Sequence, residues 1–313
     1  GTQLLDGLEL LSSIVRRPHF EPDALEAVRS LCLQELHGLE DDPSQLSMIR
    51  LDEIRLPPPF HRHGLGVKEH LEKATVDDLA DHFCALARPG GSILALNGDV
   101  DHEAVCEKME SLLEDWTGET PAVEKSGPPV GGETIVERPT SQSHLAMGFS
   151  APIYSDEDMA PFQAAGGILG GGASSRLFTE VRERRGLAYS IGGRYEAGRT
   201  IGNFTIFAGT TPQRIQETID AIDAVLDGFV DGVTDEEVAR VRTQLRSSVL
   251  MQLEHGPARA RRLALDQFRL GHPRSVQQML EEFQALNISR IRDVISRRMG
   301  PEWRSQATRC IVG

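Results

Sequence analysis

Three side chains in this sequence are candidates for chemistry: Glu35, Arg182 and Tyr189. Glu35 follows Val28 by seven residues and Leu31 by four, so in a helix it shares their apolar stripe. A carboxylate that faces a core is costly unless it is paired or binds a cation. Glu35 is therefore either a carboxylate at the edge of the stripe, reaching water or an arginine, or a metal ligand.

Arg182 and Tyr189 lie seven residues apart, on either side of Gly186. Arg182 follows Phe178 by four in a predicted helix, and Tyr189 begins a predicted strand. A guanidinium and a phenol that converge on one point could hold a carbonyl oxygen as it becomes an oxyanion. The alternative interpretation is a surface arginine and a core tyrosine.

Two other patterns favour structural roles. Gly170-Gly171-Gly172 precedes a predicted helix but lacks the lysine of a phosphate-binding loop, so we interpret it as a helix break with Ser174 or Ser175 as the next cap. His61 and His63 lie two apart in a proline-rich loop, and the sequence has no H-x-x-E-H, H-E-x-x-H or H-x-x-x-H motif. A loop is favoured there over a zinc pair.

The composition excludes some function classes. The net charge of −14 argues against nucleic acid or an anionic membrane surface as a partner. No run of 18 apolar residues is present, which predicts that the sequence does not span a membrane. The four cysteines form no C-x-x-C pair, and each lies in an apolar run, which predicts buried free thiols.

The elements that position these residues come from a repeat. Residues 20–29 and 233–242 match in register at an offset of 213, and both copies close with a helix, a proline, a strand and a glycine. Two copies at a long period indicate two similar domains. We expect 1–117 to belong to a first domain, 118–132 to be a linker rich in glycine and proline, and 133–313 to be a second domain.

The predicted fold class is α+β, with a mixed or antiparallel sheet packed against helices in each domain. In the first copy we expect helices at 3–16, 22–38, 44–54, 76–87 and 102–116 and a buried strand at 92–96. In the second, strands are expected at 134–138, 144–150, 188–196, 203–208 and 306–312. Helices are expected at 158–169, 174–185, from Thr211-Pro212, from a Thr234/Glu237 capping box to 253, and within 258–297.

The offset also predicts a truncated first domain. The second copy begins its first strand near Glu133, so the matching start of the first copy falls about 80 residues before Gly1. We therefore expect this chain to be a fragment that opens directly on a helix.

The segment from Leu169 to Ser190, L-G-G-G-A-S-S-R-L-F-T-E-V-R-E-R-R-G-L-A-Y-S, resembles the signature of the second domain of pitrilysin-family zinc peptidases, a family that includes mitochondrial processing peptidase and bacterial relatives. P-H-F at 18–20, Q-E-L at 34–36, E-D-D-P at 40–43 and L-N-G-D-V-D at 96–101 resemble the first domain of that family. The resemblance extends over essentially the whole sequence.

The resemblance implies roles for the candidate residues. The family binds zinc through an inverted H-x-x-E-H helix, whose glutamate is the general base, and a later glutamate, which Glu35 matches. The family's supporting glutamate is replaced here by Val28. Arg182 and Tyr189 match the pair that binds substrate from the second domain. The motif helix itself is expected before Gly1, so the fragment alone is expected to be inactive, with zinc weak or absent.

Two hypotheses follow from the resemblance. The first is a zinc-dependent endopeptidase whose substrate is a peptide or unfolded protein. The second is a non-catalytic subunit of a two-chain peptidase or processing complex. Glu35 favours the first and Val28 the second. The resemblance also implies pairing, as a homodimer or as a heterodimer with a related chain, whereas the sequence does not decide between bacterial cytoplasm and periplasm.

Overall fold

A computed structural model describes residues 2–122 and 127–313. The predicted linker at 118–132 therefore lies partly outside the described residues. Within the described ranges, no helix combines the length and apolar character needed to cross a bilayer.

Residues 2–122 fold as helices. Pro22 begins the second of them, Asp42 accepts from the backbone of Gln45 at the start of the third, and Thr75 and Asp78 form a reciprocal capping box. The helices are α1 (Thr2–Arg16), α2 (Pro22–Gly38), a 3-10 turn (Leu39–Asp41), α3 (Pro43–Arg55), α4 (Lys68–Lys73), α5 (Val76–Leu86) and α6 (His102–Leu113). The predicted helices of this part are confirmed, although α6 ends three residues early.

The predicted buried strand at 92–96 is wrong. The segment joins no ladder, and Ile93 and Leu94 are exposed. Among the described residues of this part, the only strand-like pairing is an isolated bridge between Gly90 and Glu119. An apolar segment forms a strand only beside a partner, and the described residues provide none here.

The second part contains a five-stranded mixed sheet. Its spatial order is β1-β5-β2-β4-β3, with β1 parallel to β5 and the other neighbours antiparallel. The strands are β1 (Gly132–Val136), β2 (Ser143–Ala151), β3 (Ser190–Ala197), β4 (Gly202–Thr210) and β5 (Thr308–Val312). All five predicted strands of this part are confirmed.

The remaining elements of the second part are helical, and most of them pack over one face of the sheet. They are α7 (Met159–Gly170), a π-helix (Phe178–Arg184), a 3-10 turn (Pro212–Arg214), α8 (Ile215–Asp227), α9 (Phe229–Gly232), α10 (Asp235–Gln252), α11 (Gly256–Leu270), α12 (Val276–Gln284), α13 (Ile288–Arg298) and α14 (Pro301–Ser305). The capping box of Thr234 and Glu237 at α10 is confirmed, whereas Thr211 makes no side-chain cap. The α+β fold class is as predicted.

The main core lies between this helical layer and the sheet. It contains alternate residues of β2 and β4, including Phe149 and Phe204, and the buried faces of α7 and α8. A period of two in the strands and of 3.6 in the helices directs these side chains to one interface.

The opposite face of the sheet is covered by α3, a helix of the first part. Leu46 and Leu51 of α3 pack with Ala146, Cys310 and Val312 in a separate cluster. Cys310 is therefore buried as predicted, but Cys84 on α5 is exposed. The neighbouring Phe83 packs against Phe20, but no described element covers the Cys84 side chain.

Candidate functional site

The π-helix ends in a tight turn that leads the chain to β3. Gly186 has φ = +58°, a left-handed conformation that glycine adopts without a steric penalty. The Leu187 N–H donates to the Val181 carbonyl at 2.9 Å, and Arg214 Nη1 donates to the Gly186 carbonyl at 2.8 Å. These bonds fix Arg182 before the turn and Tyr189 after it.

The phenol of Tyr189 lies on the ribbon formed by β2 and β4. Its ring occupies the space above Gly209, where an added Cβ would come within 2.5 Å of the ring. Its hydroxyl donates to Gln142 Oε1 at 2.9 Å and lies 3.0 Å from His144 Nε2. The residue is 43% exposed, so a bound molecule can reach it.

Both rings favour their neutral forms. Burial raises the pKa of Tyr189 above its usual value. Burial also lowers the pKa of His144, although the charge of Asp42 opposes that shift. A neutral phenol can donate a hydrogen bond, so a substrate oxygen that replaced Gln142 as acceptor would receive it.

Arg182 is held less tightly. Its guanidinium stacks over the Phe178 ring at 4.7 Å, and its Nε lies 3.9 Å from a Glu183 oxygen. Within the described residues the guanidinium makes no hydrogen bond, and the side chain is 42% exposed. Arg182 and Tyr189 have separate contacts, so their convergence on one point stays a prediction.

Glu35 lies on the exposed surface of α2. Glu35 is not held away from solvent, since Val28 and Leu31 on the same stripe are 55% and 60% exposed and α2 has no buried residue. No described element covers that stripe. Whether Glu35 binds a metal is a separate question and stays a prediction.

The described residues do not fit a zinc site on their own. A catalytic zinc needs three protein ligands, and no group of three metal-ligating side chains occurs within residues 2–122 and 127–313. Glu35 alone supplies one carboxylate.

The sequence did not reveal the residues around Tyr189, namely Gln142, His144 and Gly209, nor Asp42, whose charge acts on His144. Gln142 and His144 are 47 and 45 positions away from Tyr189, and the β2–β4 and β3–β4 registers bring them together. The one local signal is His144, a titratable residue directly before the apolar run of β2.

Comparison with known proteins identifies relatives of the whole chain. A family model described as the peptidase M16 inactive domain matches residues 73–245. An uncharacterized zinc protease of Mycobacterium tuberculosis is 28% identical over 314 residues, which cover 96% of this chain and 71% of the relative. An uncharacterized zinc protease of Streptomyces coelicolor is 26% identical, covering 98% and 72%.

Solved structures share the fold. The peptidase M16 inactive domain from Pseudomonas fluorescens matches with a TM-score of 0.83 at 19% identity, over 98% of this chain and 74% of that one. A protease from Helicobacter pylori matches with a TM-score of 0.82 at 18% identity, over 100% and 77%. At these identities the likeness supports the fold alone.

Proposed function

Because the chain belongs to the peptidase M16 family, we propose that it is the substrate-binding part of a zinc-dependent endopeptidase. The observation that carries this proposal is the placement of the Tyr189 hydroxyl, which Gln142 and His144 orient at an exposed position after the π-helix turn. The names of the relatives support the reaction class.

In this proposal Tyr189 and Arg182 bind a peptide carbonyl. The neutral phenol donates a hydrogen bond to the oxygen, and the guanidinium, free of hydrogen bonds among the described residues, stabilises the charge that develops on it. Tyr189 directly precedes β3, and no described strand lies beyond β3 at that end of the sheet. An extended peptide paired to β3 would pass the phenol.

Zinc would supply Lewis-acid activation of the carbonyl and of water in the working enzyme. The described residues hold no zinc site on their own, and Glu35 would supply one of the ligands.

The test is binding of a fluorescent, unstructured peptide to the 313-residue chain, measured by anisotropy. Tyr189→Phe and Arg182→Gln should each weaken binding about five-fold, the equivalent of roughly 1 kcal/mol for one hydrogen bond. Arg184→Gln is the matched control, because Arg184 is an exposed arginine of the same π-helix and is paired with Glu180 at 2.6 Å. Equal losses in all three variants would contradict the assignment.

The second candidate is a non-catalytic subunit that lends Tyr189 and Arg182 to an active partner. The exposure of Glu35 and the presence of Val28 in place of a carboxylate favour it. Zinc content after dialysis, measured on the protein expressed from its whole gene, separates the two candidates. Stoichiometric zinc that falls in Glu35→Gln supports the enzyme, and zinc-free protein that still binds peptide supports the subunit.

We also propose that the protein acts on peptides or unfolded proteins and pairs with a second copy or a related chain. Exposed apolar side chains on α1 and α2, including Leu10, Ile14 and Leu31, support an additional covering element.

A further inference from the structure

A second site lies on the helical side of the sheet, away from Tyr189. It is a cleft of ≈ 480 Å³ between α7, α10, α12 and the end of β3. Met159 and Gln163 of α7, Ser248 and Gln252 of α10, and Met279 of α12 contribute to its lining. Arginines provide most of its charge.

The floor of the cleft is built on Tyr154 and Asp266. Asp266 is 1% exposed and accepts a hydrogen bond from the Tyr154 hydroxyl at 2.8 Å. Arg274 Nε donates to the same carboxylate at 3.2 Å, and Arg274 Nη1 donates to Glu282 at 2.9 Å. This buried network fixes the position of one guanidinium.

Two more guanidiniums surround the same ring. The guanidinium carbons of Arg262, Arg269 and Arg274 lie 5.7, 4.8 and 5.0 Å from the centre of the Tyr154 ring. Such distances are those of cation–π contacts, which hold the arginines in place without using their N–H groups.

These arginines carry more N–H donors than the surrounding protein groups accept. Arg262 Nε lies 3.2 Å from Asp266, but it is buried and makes no hydrogen bond among the described residues. Arg269 has no ion pair within the described part of the chain. Arg194 and Glu196 at the rim pair with each other, so three arginines, Arg262, Arg269 and Arg274, face two carboxylates, Asp266 and Glu282. A positive charge is left over among these inner groups, in a protein whose net charge is −14.

This surplus of positive charge determines which class of ligand the cleft can bind. Ser248 of α10 lines the cleft and aligns with Glu35 of α2 in the repeat. The cleft therefore lies on the helix of the second copy that corresponds to α2. A ring of guanidiniums repels a metal cation, whereas it matches the geometry and charge of carboxylate and phosphate oxygens.

We propose that the cleft binds a small organic anion that carries carboxylate or phosphate groups, with Arg269 and Arg262 as its principal donors. The volume accommodates a ligand of this size. The proposal is independent of peptide cleavage, since the binding residues belong to a different surface from Tyr189 and Arg182.

Calorimetric titration of the 313-residue chain with citrate and with pyrophosphate, at one low ionic strength, tests the site. We expect saturable binding of at least one probe, weakened ten-fold or more in Arg269→Gln. A second series with added potassium chloride should show weaker binding by the parent chain. Arg199→Gln is the matched control, because Arg199 stacks on Phe268 at 5.2 Å outside the cleft. Arg199→Gln should bind as the parent does.

A second variant keeps the proposal testable if Arg269→Gln fails to fold. Ser248→Glu places a carboxylate at an exposed position of the lining and should abolish binding while the circular dichroism spectrum is retained. Binding that survives in both variants would overturn the proposal. So would the absence of binding by both probes in the parent chain, or binding of acidic peptides alone.

Discussion

At the residue scale, the candidate site depends on Gly209, which has no side chain. Gly209 leaves the space that the Tyr189 ring fills, and Gln142 and His144 then reach its hydroxyl. The orientation of the phenol is therefore set by three strands together, and a small change in β4 should act through Tyr189.

Gly209→Ala should displace the phenol, because the new methyl group would lie 2.5 Å from the ring. We expect peptide binding to weaken about as much as in Tyr189→Phe, roughly five-fold. Anisotropy measures the binding, and circular dichroism reports the fold. Gly228→Ala is the control, since its added Cβ meets nothing closer than 3.7 Å. Unchanged binding in Gly209→Ala would refute this view of the site.

Part of the site was predictable from local spacing. Gly186 between a helix and a strand indicated the turn, and the turn places Tyr189 directly before β3. Gln142 and His144 were not predictable, because their approach to Tyr189 depends on strand register across more than 40 residues. The exposure of Glu35 was left open by the sequence, because an apolar stripe indicates that a face can be covered, whereas the covering depends on other segments.

At the element scale, α3 and the sheet depend on a close approach. Arg55, 3% exposed, lies across Gly148 of β2, where an added Cβ would come within 2.6 Å of its side chain. Arg55 Nη2 donates to Ser150 Oγ at 3.3 Å. Burial lowers the pKa of Arg55 to about 10, partly offset by Asp52, and this leaves it charged at neutral pH.

Gly148→Ala should force α3 away from the sheet and destabilise the protein by about 1–3 kcal/mol, as overpacked cores do. Urea unfolding followed by circular dichroism measures the loss. Gly132→Ala in β1 is the control, because nothing lies within 4 Å of its added Cβ. Equal stability of the two variants would mean that α3 does not pack on β2 as described.

The start of α7 is joined to the end of α13 by ion pairs. Asp158, 4% exposed, accepts from Arg297 at 2.8 Å through both oxygens and from Arg298 at 2.7 Å. The hydrogen bonds from Arg297, and secondarily from Arg298, lower the pKa of Asp158 to about 2 although burial opposes them. Because the folded-state pKa lies below the unfolded value of 3.8, the stabilisation is complete above about pH 5 and is lost as the pH falls toward 2.

Asp158→Asn should therefore lower the free energy of unfolding by about 1–2 kcal/mol at pH 7. Solvent around the partly exposed arginines keeps this loss smaller than it would be for a fully buried pair. The difference in the free energy of unfolding between the variant and the parent should shrink as the pH is lowered from 5 to 3. Urea midpoints across that range provide the measurement, with Asp220→Asn on α8 as an exposed control. A difference that is constant with pH would exclude this linkage.

The elements of the second part were predictable because hydrophobic period and caps agree there, as in β2, β4 and α10. The π-helix was predicted as an ordinary helix, since a wider turn leaves little trace in the spacing of apolar residues. Residues 92–96 have the composition of a strand, but strand formation depends on a neighbour that composition does not report.

At the scale of the whole molecule, the two parts differ in how well they are covered. The second part has a sheet with helices on one face and α3 on the other, whereas the helices of the first part expose apolar stripes. Val28 and Leu31 on α2 and Leu10 and Ile14 on α1 are the most prominent of these residues. A surface of this kind favours association.

The 313-residue chain should self-associate with increasing concentration, and the double variant Val28→Gln/Leu31→Gln should reduce that association without lowering the melting temperature. Light scattering during gel filtration measures the mass. Leu51→Gln is the contrasting variant, because Leu51 is fully buried beneath the sheet and its loss should unfold the protein. A monomer at all concentrations would show that these stripes do not drive association.

The position of α3 has a consequence for how the gene could be divided. The repeat assigns α3 to the first copy, yet its side chains complete the cluster beneath β2 and β5 of the second. Two polypeptides produced by separating the copies at the segment that joins them would each present half of one interface. They should reassemble as complementing fragments when co-expressed, while the C-terminal piece alone would leave Cys310 open to alkylation.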